Sequence, residues 1–153
     1  LITNIYTDGD FFGYTAILEE TNYKEGAEIL EDAELMLIPR SDFMELINND
    51  ATVARQFIKL LTRNIIEKEE SLLNLAYSSL RKKVANGLLL VLSKFKGEKE
   101  ALEISRENLA NIIGSATESL IRTLSDFKSE GLIDIKKGKI VILNENKLRN
   151  LLY

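Results

Sequence analysis

Residues 104–143 decide the fold of this chain: Ile104-Ser-Arg-Glu-Asn-Leu-Ala-Asn-Ile-Ile-Gly114-Ser-Ala-Thr-Glu-Ser-Leu-Ile-Arg122-Thr-Leu-Ser-Asp-Phe-Lys-Ser-Glu-Gly131-Leu-Ile-Asp-Ile-Lys-Lys-Gly138-Lys-Ile-Val-Ile-Leu143. Its apolar spacing predicts two short helices joined by a tight turn. Two apolar runs around a basic, glycine-containing tip then predict a β-hairpin. Together these elements predict a winged helix-turn-helix.

The first helix of this stretch is predicted to begin after Ser105. Its inward residues are Leu109, Ile112 and Ile113. Ala110 is expected to be small because the second helix crosses close to it. Gly114 can adopt the positive φ that ends a helix in a turn.

The second helix has both a start signal and a buried stripe. The start signal is Ser115-Ala-Thr-Glu118, which fits the S-x-x-E capping box. Gly131 is predicted to end the helix. The residues predicted to be buried are Leu120, Ile121, Leu124 and Phe127.

In a helix-turn-helix, the N-terminal part of the second helix enters the major groove of DNA. Arg122 is placed to pair with a guanine edge or a phosphate, or instead with Asp126 at i+4. Glu118 can accept from a cytosine amino group, or simply cap the helix. The wing lysines are expected to contact phosphates nonspecifically. The candidate DNA-binding residues are Ser105, Arg106, Ser115, Ala116, Thr117, Glu118, Ser119, Arg122, Lys136, Lys137 and Lys139.

A long helix is predicted upstream, with Asp50 as its cap and about 26 residues, or near 39 Å, of length. Its apolar positions recur at nearly heptad spacing, with Lys68 filling one skipped position. The pattern favours a seam between two copies of the chain, although a helix packed on its own β domain would show a similar stripe. The predicted dimer residues are Ala54, Phe57, Leu61, Ile65, Lys68, Leu72 and Leu75.

The remaining segments complete an α+β prediction. Residues 1–40 show strand-like patterns, and Ser41 is predicted to cap a short helix over residues 42–47. Ser79 is predicted to cap a helix that runs to Lys94 and is followed by a polar loop at 96–100. The buried side of that helix is predicted to be Val84, Leu88, Val91, Leu92 and Phe95. We therefore expect a sensor domain at 1–49, a dimerisation helix and hinge at 50–77, and a DNA-binding domain at 78–153.

Charge divides at the same boundary. Residues 1–78 hold 6 basic and 15 acidic side chains, a net charge of −9. Residues 79–153 hold 14 basic and 9 acidic side chains, a net charge of +5. A basic C-terminal half is the electrostatic footprint of a nucleic-acid-binding domain, although many solvated helices are also basic.

Composition excludes several classes of site. The chain has no cysteine and no histidine, so it offers no disulfide, thiolate metal site or Ser-His-Asp triad. No apolar run approaches the roughly 20 residues of a membrane span, and no signal peptide is evident. A cytoplasmic protein without cofactor or metal is expected. The first residue, Leu1, together with its strand-like context, suggests a piece of a longer protein.

These motifs together resemble the cyclic-AMP receptor/fumarate-nitrate regulator (CRP/FNR) family of transcription regulators. Asp8-Gly-Asp-Phe-Phe-Gly13 resembles the turn before the ligand loop of the family's cyclic-nucleotide-binding β-roll, and residues 30–43 resemble its last strand and following helix. The long helix resembles the dimerisation helix, and Leu75-Ala-Tyr77 resembles the hinge. The resemblance implies a partial β-roll, double-stranded DNA and RNA polymerase as partners, and a homodimer on an inverted repeat.

Two departures from the family pattern are informative. Within the family's Arg-Glu-Thr/Ser-x-x-Arg recognition motif, Thr117 replaces the first Arg, so a different base preference is expected. The family's ligand loop uses Gly-Glu and later Arg-Ser/Thr to hold a cyclic nucleotide. Here Gly13 is followed by Tyr14, and Tyr23 and Lys24 stand where Arg and Ser would fall. We therefore expect this remnant loop not to bind cyclic AMP.

Two other classes of function are weighed against DNA binding. A winged helix can dock a protein, with the long helix as a scaffold, and the absence of salt-sensitive duplex binding would favour that alternative. An enzyme would need a nucleophile–base pair or a phosphate loop, and the scattered carboxylates of this chain provide neither.

Overall fold

The structure, a computed structural model, describes residues 1–30, 32–94 and 101–151. These residues form two compact units. One comprises described residues between 9 and 69, and the other comprises residues 1–8 with described residues between 70 and 151. The described residues contain helices α1 to α7 and one two-stranded antiparallel sheet. Residues 95–100, which include the predicted buried Phe95 and the predicted polar loop, lie outside the described residues.

The unit at 9–69 contains helix α1 (Tyr14–Leu18), helix α2 (Arg40–Asn49) and the first part of helix α3 (Ala51–Tyr77). The strands predicted before residue 40 are wrong for this structure, because the described residues up to Pro39 contain none. A strand exists only where its backbone pairs with a neighbouring strand. Strand-like side-chain patterns therefore remain extended coil where no such pairing occurs.

Helix α2 is longer than predicted, and its start corrects the proposed Ser41 cap. Pro39 occupies the cap position with φ −58° and ψ 147°, and it makes no side-chain cap bond. Ser41 lies inside the helix, where its hydroxyl donates to Asp42 Oδ1 at 2.9 Å. The Asp50 cap of α3 is confirmed, since Asp50 Oδ1 accepts from the backbone N–H of Thr52 at 2.7 Å.

The other unit is built around helix α4 (Leu80–Lys94), and Ser79 caps this helix as predicted. Helices α5 (Arg106–Ile113) and α6 (Thr117–Ser129) pack on it. They are followed by strands β1 (Ile133–Lys136) and β2 (Lys139–Ile142) and by helix α7 (Glu145–Arg149). Their shared core consists of Val84, Ala85, Leu88, Val91, Leu102, Leu109, Ala110, Ile113, Leu120, Leu124, Phe127, Leu132, Ile133, Ile140 and Leu148. The winged helix-turn-helix is therefore confirmed.

Helices α4 and α5 approach each other very closely at Gly87. A Cβ atom built on Gly87 would overlap the Cγ2 methyl of Ile113. Ala110 is buried, in keeping with the small residue predicted there. Leu92 is only half-buried, so the buried side of α4 turns toward Ala85 and Gly87 instead.

The wing is a tight hairpin. Ile133 pairs with Ile142 and Lys136 pairs with Lys139, which leaves a two-residue turn. Both turn residues have positive φ, 50° at Lys137 and 82° at Gly138, as a type I′ turn requires. Leu102 adds a short antiparallel bridge to Ile140 on the other side of β2.

Candidate nucleic-acid interface

Helix α5 is fixed at both ends by local geometry. At its start, the Ser105 hydroxyl oxygen accepts from the Asn108 N–H at 3.0 Å. At its end, Gly114 takes φ +64°, as predicted, and its N–H donates to the Ala110 carbonyl. The next residue, Ser115, donates to the same carbonyl at 3.1 Å. The turn that aims the following helix is thus held by backbone bonds.

Helix α6 begins one residue later than the capping box requires. Ala116 occupies the cap position without a side-chain bond, and Ser115 lies outside the helix with its hydroxyl directed to the Ala116 carbonyl. The Ser115 cap is therefore wrong, because a box starting at Ser115 would put Glu118 one position further into the helix than it lies. Glu118 lies in the first turn, where its negative carboxylate interacts favourably with the positive end of the helix dipole.

The exposed face of α6 is defined by its burial pattern. Leu120, Thr123, Leu124 and Phe127 are buried. Ile121 was predicted to belong to this stripe, but half of its surface is exposed. The stripe instead passes through Thr123, whose hydroxyl donates to the Ser119 carbonyl at 3.0 Å and so satisfies itself inside the core.

The predicted recognition residues lie around the opposite face. Ala116, Glu118 and Arg122 are exposed, whereas Thr117 and Ser119 are half-buried. Among the ion pairs of the described residues, none joins Arg122 to Asp126. The guanidinium of Arg122 is therefore available to a ligand in this structure.

Arg106 has a role that the sequence did not suggest. Its guanidinium is half-buried and donates from Nη2 to the carbonyl of Gly138, at the wing tip, at 3.0 Å. Burial lowers the pKa of Arg106 from its usual range. The bond joins the start of α5 to the wing, so Arg106 positions the wing, and its remaining donors alone could meet a phosphate.

The three wing lysines differ in their partners. Lys139 Nζ lies 2.8 Å from Glu103 Oε2, and Lys136 Nζ lies 3.9 Å from Asp134 Oδ2. Lys137, at the turn, is exposed, and the ion pairs of the described residues do not include it. Lys137 is therefore the wing cation most open to a phosphate.

The base of the wing is tied to α6 by Asp134. Its carboxylate lies 3.1 Å from Lys128 Nζ and also accepts from the N–H of Ile135 at 2.7 Å. The hydrogen bond from Lys128, followed by that from Ile135, lowers the pKa of Asp134. The wing is thus attached at its base to the second half of α6 and at its tip to α5.

A second fixing point joins α6 to α4. Arg81 lies over the ring of Phe127, 4.9 Å from its centroid, and donates from Nη2 to Glu130 Oε2 at 2.7 Å. That bond raises the pKa of Arg81 and lowers the pKa of Glu130. This cluster could not be predicted from the sequence, because Arg81 and Glu130 lie 49 positions apart and form no local motif.

The predicted ligand-loop remnant lies in the unit at 9–69. Gly13 has φ +79°, and a Cβ atom built there would lie 3.4 Å from the ring of Tyr23. Tyr14 packs edge-on against Phe57 at a centroid distance of 5.4 Å and accepts from Asn64 Nδ2 at 2.7 Å. The structure thus brings Gly13 and Tyr23 together and turns Tyr14 toward α3. Lys24 is exposed.

The predicted seam residues of α3 divide into two groups. Ala54, Phe57, Leu61 and Leu75 are half-buried. Phe57 stacks edge-on with Tyr14 and Phe43, so the alternative of packing within its own unit holds for that side chain. Ile65, Lys68 and Leu72 are exposed. The large apolar side chains left exposed on α3 are Ile58, Ile65, Ile66, Leu72, Leu73 and, at its last position, Tyr77.

Two further features are absent from the part of the chain that the structure describes. None of the helices in that part is long and apolar enough to cross a membrane. No group of three or more carboxylate, imidazole or thiolate side chains among the described residues is arranged to hold a metal ion.

Two protein families match parts of the chain. Residues 82–151 match the Crp-like helix-turn-helix domain, which covers the interface described above. Residues 1–50 match the cyclic nucleotide-binding domain. The second match assigns the N-terminal segment to the predicted class of domain, even though its described residues before α2 form no strand.

Relatives and solved structures agree with both matches. The cyclic AMP receptor protein of Thermus thermophilus is 29% identical over 134 residues, which cover 88% of this chain and 61% of that protein. Electron transport regulator A of Shewanella oneidensis is 25% identical over 152 residues, covering 96% and 60%. The chain therefore spans about three-fifths of the length of these relatives.

Among solved structures, a transcriptional regulator of the crp/fnr family from Eubacterium rectale superimposes with a TM-score of 0.61 at 30% identity, covering 74% of this chain and 51% of that one. FixK2 from Bradyrhizobium japonicum gives a TM-score of 0.68 at 23% identity, covering 74% and 59%, and supports the fold alone.

Proposed function

The chain belongs to the CRP/FNR family of transcription regulators, and on that premise we propose that it binds double-stranded DNA sequence-specifically through helix α6. The observation that carries the proposal is the exposed face of α6. Glu118 and Arg122 stand on its first two turns, directly after the fixed Gly114 turn. In a helix-turn-helix these turns face the base edges of the major groove.

We propose the following division of labour. Residues 78–153 bind DNA, residues 50–77 form the dimerisation helix and hinge, and residues 1–49 belong to the sensor. Arg122 binds a guanine edge, and Glu118 accepts from a cytosine amino group. Thr117 and Ser119 supply hydroxyl contacts, while Ser105, Arg106, Ser115 and the wing lysines face the phosphate backbone.

The proposed assembly is a homodimer through α3. Its support is the row of uncovered apolar side chains on α3, in which Ile58, Ile65 and Leu72 follow one another at heptad spacing. A two-fold dimer would place two α6 helices in successive major grooves of an inverted repeat, about 34 Å apart. Such a regulator works in the cytoplasm with RNA polymerase as partner.

We further propose that cyclic AMP does not control this protein. The position after Gly13 is held by Tyr14, a side chain already engaged with Phe57 and Asn64 and without a carboxylate for a ribose. Tyr23 lies beside Gly13, and Lys24 offers a single ammonium in place of a bidentate guanidinium. Titration calorimetry should show no cyclic AMP binding, and micromolar affinity would contradict the proposal.

Selection of bound sites from random duplexes tests DNA recognition directly. The chain should enrich an inverted repeat, and Arg122→Ala should weaken binding to it by about 1–3 kcal/mol and relax one position per half-site. If Arg122→Ala leaves the selected sequence unchanged, Arg122 contacts the backbone and not a base.

A matched variant separates backbone contacts from base contacts. Lys137→Ala should weaken all duplexes alike and reduce the slope of log affinity against log salt by about one. Lys147→Ala on helix α7, where Lys147 is likewise exposed, serves as the charge-matched control and should change neither quantity. Absence of any salt-sensitive duplex binding would favour the protein-docking alternative.

A further inference from the structure

Ile121 is an apolar side chain on the exposed face of α6. All thirteen residues of this helix are described, and their exposed side chains are Glu118, Ile121, Arg122, Ser125, Asp126, Lys128 and Ser129. Ile121 is the single apolar member of that set, with half of its surface open. The core stripe passes through Leu120, Thr123 and Leu124 and leaves Ile121 outside.

Single exposed apolar side chains are common on protein surfaces, so exposure alone does not indicate a function for Ile121. Its position on α6 does. Ile121 is the fifth residue of α6, about 6 Å along the axis from its first residue at 1.5 Å per residue. It lies one position before Arg122 and three after Glu118, on the turns that face base edges in a helix-turn-helix.

The chemistry of the major groove leaves one partner for such a side chain. Base edges there present donors and acceptors, apart from the C5 methyl of thymine. A sec-butyl group has no donor or acceptor, so against any polar edge it would desolvate that edge without replacing its hydrogen bonds. Against a thymine methyl it removes apolar surface from water on both sides.

We propose that Ile121 contacts the C5 methyl of a thymine within one base pair of the position bound by Arg122, and so selects a T·A pair there. The inference rests on the proposed DNA-binding function and deepens it. Ile121 lies three residues after Glu118, and Arg122 lies four residues after it, so both side chains neighbour Glu118 on one surface of α6. Neighbouring side chains can therefore address neighbouring bases.

The test uses the selected duplex with each thymine replaced in turn by deoxyuridine, which removes only the C5 methyl. The full chain should lose affinity about four-fold at one position per half-site, the fold-change that corresponds to about 0.8 kcal/mol for a buried methyl group. Ile121→Ala should bind the thymine and uracil duplexes equally at that position, whereas Ile121→Val should retain part of the preference.

Leu90→Ala provides the matched control, because Leu90 is an exposed apolar residue on α4. It should keep the full thymine preference. The inference is overturned if the unmodified chain is insensitive to every thymine methyl, or if Ile121→Ala keeps the preference. Specific binding with methyl insensitivity overturns this inference alone, whereas failure to select any sequence overturns the proposed function as well.

Discussion

Gly87 lies at the crossing of helices α4 and α5, where the backbone of α4 packs against the side chain of Ile113. In an exposed helix interior, Gly→Ala would stabilise by about 1 kcal/mol through helix propensity. Here the added methyl would overlap Cγ2 of Ile113, a β-branched side chain that is stiff at χ1. We therefore predict that Gly87→Ala destabilises the protein by about 1–3 kcal/mol in urea unfolding monitored by circular dichroism.

A second substitution tests whether the overlap with Ile113 causes the loss of stability in Gly87→Ala. Ile113→Leu removes the Cγ2 methyl, so adding it to Gly87→Ala should recover part of the lost stability. A double variant no more stable than Gly87→Ala would show that the overlap is not the cause. If Gly87→Ala alone proved stabilising, the close packing of α4 on α5 would be contradicted.

Asp134 makes one contribution to stability depend on pH. In the folded chain the pKa of Asp134 is lowered by Lys128 and by the N–H of Ile135, whereas in the unfolded chain it is about 4. The contribution is therefore complete above the unfolded pKa and is lost as pH falls through the folded pKa. Urea midpoints measured from pH 6 downward should fall less steeply for Asp134→Asn than for the unchanged chain, and parallel curves would contradict the assignment.

At the scale of elements, two serines distinguish a helix cap from a turn residue. Ser105 caps α5 by accepting from the Asn108 N–H, whereas Ser115 lies outside α6 and caps nothing. Ser105→Ala should therefore cost about 0.5–2 kcal/mol of unfolding free energy. Ser115→Ala should be nearly neutral by the same urea assay, and an equal loss from both would restore the rejected capping box.

Local signals predicted those elements whose determinants lie within a few residues. Gly114 needed only its own positive φ, and Lys137-Gly138 formed the tight hairpin expected of a basic, glycine-containing tip. Ser79 and Asp50 capped their helices as expected because a cap is a contact over two or three positions. Gly114, the Lys137-Gly138 turn and the Ser79 cap allowed the winged helix-turn-helix to be predicted from sequence, and the Asp50 cap allowed the start of α3 to be predicted.

The features that could not be predicted from sequence depend on contacts between distant parts of the chain. The strands expected before residue 40 lack pairing partners among the described residues, and part of that region forms α1 instead. Helix α7 was not predicted because it is only five residues long. It is held by its Asn144 cap and by Leu148, which is buried in the shared core. Ile121 was predicted to be buried but is exposed, because the buried stripe follows the i, i+3, i+4, i+7 spacing from Leu120 and therefore includes Thr123. Thr123 tolerates this place because its hydroxyl donates to the Ser119 carbonyl.

At the scale of the whole molecule, helix α3 raises the question of what covers its apolar surface. The exposed apolar side chains form a stripe slightly rotated around α3 from the predicted seam, because Phe57 packs against Tyr14 and Phe43 within its own unit. Ile65 and Leu72 belong to both the predicted seam and the observed stripe. An isologous pairing of two α3 helices would cover this stripe in each copy by the same contact.

We predict that Ile65→Glu combined with Leu72→Glu converts the proposed α3 dimer to a monomer. Both side chains are already exposed within one chain, 58% and 65%, so the substitution should leave the folded chain intact by circular dichroism. In the dimer it would bury four like charges at the seam, which strongly disfavours association. Light scattering coupled to gel filtration at about 10–100 µM, well above a micromolar dissociation constant, should show the change in mass. Leu90→Glu is the control for an exposed apolar position off the seam and should remain dimeric.

The affinity for DNA should fall when the chain becomes monomeric. The monomer should lose the avidity of two half-sites, about 100-fold or more in affinity, while keeping its preference for a single half-site sequence. A double-Glu variant that stays dimeric, or an unchanged chain that is monomeric at this concentration, would contradict pairing through α3.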